Sequence, residues 1–426
     1  MSAKIVVAGA GHGGIAAAAL LARKGYDVTL VEQHEEAALG YDWRDCIQLY
    51  CFEETGLEPP PESELEPLYN LAYFNPRKTV CIPPRRERSS VSMFIERKYL
   101  VRHLLRLAGE SGVRLRFSCR AESAVMNGTR VVGLKTADGV LPCDLLIDAA
   151  GMDSPVRRSL PDSCGIQREI SRSDTLYTYR ALFEDTGESA DMPIYCAYFY
   201  HCGNKGFNWV FRDGTYIDVL VGSVGGITPQ IVENALSDFR ADHPYLGQNL
   251  LRGGAYSKIP LRRTLPQFVC DGYAAIGDSA VMIEPLSGSG LTMSIRSAAY
   301  LCSAVEAAKT FSRAELWAYE EAYFRRSLHT ILHDDALKDV MMQMGEKNMD
   351  AMFEKKVITT KELNGGKQTA SDMWHKAIGV LTTPSVAPAL LRMVRRGRIE
   401  PRVIRSLPHE YDAARVAEWQ RAYVRY

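Results

Sequence analysis

The hydrophobic pattern changes period twice near the start of the chain. Residues 5–8, Ile-Val-Val-Ala, form a short unbroken apolar run, as in a strand buried on both faces, and the run stops at Gly9. Residues 15–23 are rich in Ala and Leu and predict a helix; 27–31, Asp-Val-Thr-Leu-Val, predict a second strand ending at Glu32. Leu100, Leu104 and Leu107 recur at helical spacing behind Glu96 and Arg97, which predicts an amphipathic helix. Strands are expected around 113–117, 131–136 and 145–148. Between about 166 and 256 the pattern shifts to short aromatic runs, 195–200, 207–211 and 216–221, which predict an antiparallel sheet. A buried strand returns at 273–276, and a long helix is expected from about 290. From 314 onward the chain reads as helical, rich in Met and Arg.

This order predicts an α/β chain: a Rossmann-like nucleotide-binding domain, an inserted antiparallel β-sheet substrate domain and a C-terminal helical region. The nucleotide domain is expected in three segments, 1–57, 93–165 and 257–313. Residues 58–92, with prolines at 59–61 and 83–84, make an irregular excursion toward the substrate domain at 166–256. The helical region spans 314–426, and no internal repeat is visible.

Lys plus Arg and Asp plus Glu both number 51, so no global basic field exists to recruit nucleic acid. No uninterrupted apolar run reaches the ~18 residues of a membrane-spanning helix. The first strand begins at once, leaving no room for a signal peptide, and a cytoplasmic protein is expected. The ten cysteines show neither a CxxC pair nor zinc spacing, so reduced thiols and no metal site are expected. Cys46 and Cys51 lie just after the second strand; Cys46 could face substrate or take part in redox chemistry, with unreactive packing the alternative. Met341, Met342, Met344, Met349 and Met352 read as core filler, or as the lining of a loose apolar cavity. Arg392, Arg395, Arg396, Arg398, Arg402 and Arg405 stand among Leu391, Met393, Val394 and Ile399 as the one local basic cluster. It could place the protein at the membrane periphery through anionic head groups, or it could be a solvated helix face.

Candidate chemistry begins between the first strand and helix, at Gly9-Ala10-Gly11-His12-Gly13-Gly14. Gly9 permits a tight turn, Gly11 lets backbone approach a dinucleotide pyrophosphate, and Gly14 lets helix pack on strand. The helix start, with His12 and Gly13, adds unpaired amides and a positive dipole end. Glu32 is placed for ribose hydroxyls, with Gln33 beside it, and its charge disfavours a ribose 2′-phosphate. Far along the chain, Gly277-Asp278 precedes Pro285-Leu286-Ser287-Gly288-Ser289-Gly290-Leu291, which could hold a ribityl chain and a flavin ring. Together the two elements point to FAD.

The order of these motifs resembles the FAD-dependent monooxygenase-like superfamily and, within it, the geranylgeranyl reductase family, over about residues 1–330. The resemblance implies a nucleotide domain of the glutathione reductase/aromatic hydroxylase type. Arg97 matches an Arg that starts a helix and reaches the FAD phosphate and ribose region, and Arg44 joins the expected cofactor set. Asp148-Ala149-Ala150-Gly151 through Arg157 looks like the second fingerprint, with Gly151 at the cofactor. Ala150 stands where the hydroxylases carry Asp, which is closer to the reductase form. Gly277-Asp278 is similar to the third fingerprint, whose Asp bonds the ribityl hydroxyls. Pro285, Gly288, Ser289, Gly290 and Leu291 resemble a reductase loop that brings backbone amides to the flavin N1–O2 edge, where negative charge gathers on reduction. Residues 206–214, Gly-Phe-Asn-Trp-Val-Phe-Arg-Asp-Gly, look like the aromatic strand of these reductases, although Arg212 replaces the usual Pro and no Lys follows.

The resemblance thus implies an FAD-dependent oxidoreductase that reduces carbon–carbon double bonds of a hydrophobic, isoprenoid-like substrate by hydride transfer from reduced flavin. Trp209, Cys46 and Gly290 are its candidate catalytic residues, and Tyr198, Tyr200, Phe207, Trp209 and Phe211 are candidate wall residues for a lipid-like substrate. Only one dinucleotide turn is present, so NAD(P)H is expected to dock transiently, or a reduced electron carrier to serve instead. The alternatives are a monooxygenase or halogenase acting on a hydrophobic or aromatic substrate, and an FAD protein with a non-redox role. A halogenase would need a catalytic lysine, for which Lys78 is the candidate; no Trp-x-Trp-x-Ile-Pro sequence occurs.

Overall fold

The computed structural model describes residues 2–84, 86–363, 379 and 382–426. Lys4–Ala8 lies inside a six-stranded sheet ordered Val269–Cys270, Tyr273–Ala275, Leu145–Asp148, Lys4–Ala8, Asp27–Val31, Arg114–Arg116. Every pairing is parallel except that of the outer Val269–Cys270 strand. The inner strands are buried at nearly every position, which explains their continuous apolar runs. Lys4–Ala8 is followed by Asp27–Val31 on one side and flanked by Leu145–Asp148 on the other, so the strand order reverses there. A crevice at the carboxyl end of such a strand is the usual ligand site of an open α/β sheet. Helices His12–Arg23 and Leu291–Ala307 pack on each other, with Arg97–Glu110 against the first. A three-stranded antiparallel sheet, Gly139–Pro142, Arg130–Thr136 and Ala121–Asn127, packs against Leu145–Asp148 through its middle strand.

A seven-stranded sheet forms the second layer, ordered Leu246–Pro260, Thr175–Asp185, Tyr216–Val224, Phe207–Arg212, Tyr195–Phe199, Ala72–Phe74, Cys81–Ile82. It is antiparallel apart from the pairing of Tyr195–Phe199 with Ala72–Phe74. The Pro-rich excursion therefore supplies two strands of this sheet, which its irregular sequence does not announce. Arg44–Gln48, Arg88–Glu96 and Glu66–Tyr69 make a smaller sheet. Helix Pro229–Asp242, which is not among the expected elements, covers one face of the large sheet. Val232, Ala235, Leu236 and Phe239 pack there with Phe183, Cys196, Tyr198 and Val210. Strand alternation then turns Tyr195, Phe207, Trp209 and Phe211 to the opposite face.

Helix Arg313–Met344 starts from a capping box between Ser312 and Glu315, and its 32 residues extend about 48 Å at the rise of an α-helix. Trp317, Tyr319 and Phe324 near its start belong to the core of the nucleotide domain. Val340, Met341 and Met344 at its end join Met349, Met352, Phe353 and Phe199 in a separate cluster. These methionines fill a core. The last helix, Ala413–Arg425, returns Trp419 and Tyr423 to Phe324. Among the described residues, no helix is long and apolar enough to cross a membrane.

Candidate active site

The glycines of the first turn make room for other segments of the chain. A Cβ on Gly9, whose φ is +96°, would lie 2.6 Å from the Ala149 carbonyl oxygen, and one on Gly14 would lie 2.4 Å from the Ala149 Cβ. A Cβ on Gly13 would meet the Ser294 carbonyl oxygen at 2.8 Å. The Cβ position of Gly11 points at the Ala149 carbonyl oxygen, 3.0 Å away, so packing within the protein already asks for glycine there. Gly11 caps helix His12–Arg23 without a side-chain hydrogen bond, and no acid occupies the first turn. The amides there remain donors for an anion. Glu32 is buried beside them, its two oxygens accepting the amides of Ala10 at 2.8 Å and His34 at 3.0 Å. Gln33 lies exposed next to it, with Nε2 3.1 Å from His34 Nε2.

The second and third fingerprints are tied to each other by buried polar groups. Asp148 accepts from the Ala150 amide, Ser154 Oγ, Tyr273 Oη and Ser279 Oγ at 2.6–3.0 Å. Arg157 is fully buried and donates to the carbonyls of Ser279, Arg168 and Met152. The turn at Gly151, φ +84°, leaves open space where a Cβ would stand.

Three polar side chains from three separate segments keep hydrogen-bonding capacity that the protein does not use, although Arg97 also donates to Asp45. His12 Nε2 and Arg97 Nε are buried with no hydrogen bond, and the Asp278 carboxylate has none among the described residues. Burial, then the Arg97 charge, lowers the His12 pKa well below its ordinary value. Burial raises Asp278 while the Arg97 charge opposes the rise, so Arg97 acts on both groups. A desolvated carboxylate without a donor, beside an imidazole and a guanidinium with free N–H capacity, suits a ligand bearing hydroxyls and phosphates. FAD fits this set: Asp278 would take ribityl hydroxyls, and Arg97 with the helix start would take phosphate.

The loop expected at the flavin folds as a tight turn. The Gly288 amide donates to the Glu284 carbonyl, the Glu284 amide to the Ser289 carbonyl, and Gly288 has φ +71°. Gly290 caps helix Leu291–Ala307 with no side-chain bond, so this helix start is also open to negative charge. Pro285 and Leu291 are buried, and a Cβ on Gly290 would lie 3.5 Å from Asp278 Oδ1. Strand Arg44–Gln48 is fastened alongside: the Gln48 amide donates to Thr292 Oγ1 at 3.0 Å, and Cys46 Sγ lies 3.7 Å from Ser289 Oγ. Burial, with help from the Asp45 charge, pushes the Cys46 thiol up to about 11. It keeps its proton at neutral pH, which removes the thiolate that redox chemistry would need. Cys51 is buried and pushed up to about 12 by burial, as unreactive packing requires.

The NAD(P)-binding Rossmann-like domain family matches residues 7–45. Digeranylgeranylglycerophospholipid reductase of Haloferax volcanii is 24% identical over 344 residues, covering 76% of this chain and 81% of that protein. A geranylgeranyl bacteriochlorophyll reductase-like protein from Thermoplasma acidophilum superposes with a TM-score of 0.74 at 18% identity, over 92% of this chain and 99% of that one. The chain is an FAD oxidoreductase similar to the geranylgeranyl reductases. A probable FAD-dependent monooxygenase from Pseudomonas aeruginosa shares the fold less closely, with a TM-score of 0.59 at 18% identity, over 83% of this chain and 100% of that one.

In this reductase-like chain the expected site residues divide. Trp209 is half-buried with Nε1 unpaired, and Phe207 lies 6.0 Å from it on the same face. Phe211 is buried against Phe94 and Tyr195 and serves as packing. Tyr198 points the other way, under helix Pro229–Asp242, with Oη 2.7 Å from His243 Nε2, so it leaves the wall. Tyr200 leaves it too: its hydroxyl donates to the Met341 carbonyl and accepts the Gly345 amide, holding the C-terminal helices. Arg44 is spent on Asp213 at 2.7 Å and Glu66 at 2.8 Å rather than on the cofactor. Lys78 is likewise held, by Asp238 at 2.7 Å and Asp242 at 2.6 Å.

A buried charged group absent from the sequence expectations joins the two halves of this flavoprotein. Arg180 donates to Asp218 through two nitrogens at 3.0 and 2.6 Å, to Asp45 at 2.9 Å and to the Arg44 carbonyl at 2.6 Å. Its guanidinium carbon lies 5.4 Å from the Trp43 ring centroid and 5.2 Å from that of Trp209. Asp45 also receives Arg97 at 2.8 Å. Burial works against the Asp45 carboxylate, but Arg180 and Arg97 outweigh it and leave its pKa below the ordinary value. Tyr195, edge-on to Trp209 at 6.1 Å, is also part of this group, its hydroxyl raised well above its usual pKa by burial and then by Asp218. A signal exists in the sequence: Arg180 and Asp218 are opposite charges with apolar neighbours in the middle of two strands, and buried charges need each other.

Proposed function

We propose that this protein reduces carbon–carbon double bonds of a hydrophobic, isoprenoid-like substrate. Bound FAD, once reduced, would supply the hydride. The open helix start at Gly290 would favour negative charge on a flavin held there, which would stabilise its hydride-donating state. Trp209 and Phe207 offer an apolar wall, fixed by Arg180 on one side and by Phe199 on the other. Phe94, Tyr195 and Phe211 exclude water behind it.

The observation that carries the reading is the position of Cys46. Its protonated thiol touches the glycine-rich loop at Ser289, and the neighbouring Asp45 holds the Arg180 guanidinium that lies against Trp209. A thiol so placed can hand its proton from Sγ to the alkene carbon next to the one that takes the hydride, and regain one from water. NAD(P)H docking transiently, or a reduced carrier protein, would supply electrons.

The oxygen-using alternative rests on likeness of fold, and its halogenase form needs a free lysine where Lys78 is paired twice. Incubation of the FAD-loaded protein with dithionite and a geranylgeranyl lipid under argon, followed by mass spectrometry, tests the reading. We expect product that has gained two hydrogens per double bond. Product that appears only in air and carries oxygen or halogen would overturn it.

A further inference from the structure

Helix Ala387–Arg405 carries a face that the proposed reaction does not use. Leu391, Val394 and Ile399 are 58%, 52% and 40% exposed, unusual for three aliphatic side chains on one helix. Arg392, Arg395, Arg398, Arg402 and Arg405 are exposed with them, and none makes an ion pair among the described residues. At 100° per residue these eight positions share one arc of about 160°. No carboxylate stands on it. The single acid of the helix, Glu400, is on the inward side, 2.6 Å from His329 Nδ1. Arg396 also turns inward, to Asp335 and Asp339.

We infer that this face docks the protein on an anionic lipid surface. The arginines complement lipid phosphates, while Leu391, Val394 and Ile399 gain only if they leave water for the acyl boundary. An interface with nucleic acid would use the charges and leave the aliphatic side chains without purpose. The chain as a whole has no net charge, so the attraction belongs to this helix and not to a general field. The other side of the helix strengthens the assignment. Ala389, Leu390 and Met393 pack on the cluster of Met341, Met344 and Met352, which continues to Phe199 and Phe207. Phe207 lies 6.0 Å from Trp209, so apolar side chains run without a break from the docking helix to the proposed wall. That last link rests on the substrate reading above; the docking face does not.

Co-sedimentation of the full-length FAD-loaded protein with vesicles tests the proposal without any turnover. Vesicles of phosphatidylcholine with one-third phosphatidylglycerol should bind it, pure phosphatidylcholine at least tenfold less, and high salt should release it. The triple variant Arg395→Glu, Arg398→Glu, Arg402→Glu should lose binding at least tenfold, and Leu391→Ser with Val394→Ser should also weaken it several-fold. Flavin content and melting temperature of both variants should match the parent. Equal vesicle binding by the triple variant, or no binding of the parent to anionic vesicles, would overturn the proposal. Binding that ignores the Leu391/Val394 change and is matched by heparin would overturn it in favour of an acidic polymer or protein.

Discussion

At the scale of single residues, the account turns on groups that differ in what they lack. Asp278 lacks a donor, so Asp278→Ala should leave the fold intact and reduce retained FAD after dialysis at least tenfold, measured by flavin absorbance per protein. Full retention would remove Asp278 from the cofactor site. Cys46 has the opposite profile, a proton it does not lose. Cys46→Ala should lower turnover about 100-fold, the scale of general acid catalysis, with flavin content unchanged. Trp209→Ala should likewise change turnover more than cofactor content. The glycine turn and the buried position of Glu32 after the second strand were legible because residue type and spacing set them, while the cofactor role of Asp278 belongs to the proposal. Arg44 was not, because its partners Asp213 and Glu66 are fixed by tertiary pairing that spacing cannot reveal.

Single elements show a different limit of legibility. Strand Tyr195–Phe199 is buried at every position, so its alternation of side chains carries no sign of which face meets the substrate. The sequence thus marks the strand and leaves Tyr198 on the wrong side of it. Arg180 supplies the missing orientation by binding Asp45 of one element and Asp218 of another. Arg180→Ala should cost about 3 kcal/mol of stability by stranding buried Asp218, and Arg180→Lys should recover part of this, as read by denaturant midpoints. The depressed pKa of Asp45 sets a pH dependence. Its contribution is complete above the unfolded value of about 4 and fades as pH falls through the lower folded value. Asp45→Asn should therefore flatten the loss of stability in acid. Helix Arg313–Met344 carries the opposite case in Glu320, which burial lifts to about 7 although it accepts the amides of Phe268 and Val269. Its protonated form is favoured by folding, so this contribution is full below the unfolded pKa of about 4 and is lost as pH rises through 7. Glu320→Gln should gain stability over the parent at pH 8, by as much as about 3 kcal/mol, and little at pH 5. Equal midpoints at both pH values would contradict this.

For the whole molecule, a chain that leaves and re-enters its nucleotide domain builds one site from distant segments. Turn, second fingerprint and third fingerprint meet because Gly9 and Gly14 admit Ala149, and because Asp148 and Arg157 knot the later segments together. The pair of fingerprints was readable from sequence, since each carries its own local signal. Strands Ala72–Phe74 and Cys81–Ile82 and helix Pro229–Asp242 escaped, the strands being too short and Pro-flanked to show a period. The proposed function sets a reduced flavin against an alkene beside the protonated Cys46 thiol. The most direct test is to photoreduce the FAD-loaded protein without oxygen, add a polyprenyl lipid, and follow the flavin absorbance band before admitting air. The account predicts that absorbance recovers on addition of the lipid alone and that Cys46→Ala slows the recovery. Recovery only after air is admitted, with an oxygenated or halogenated product, would contradict it.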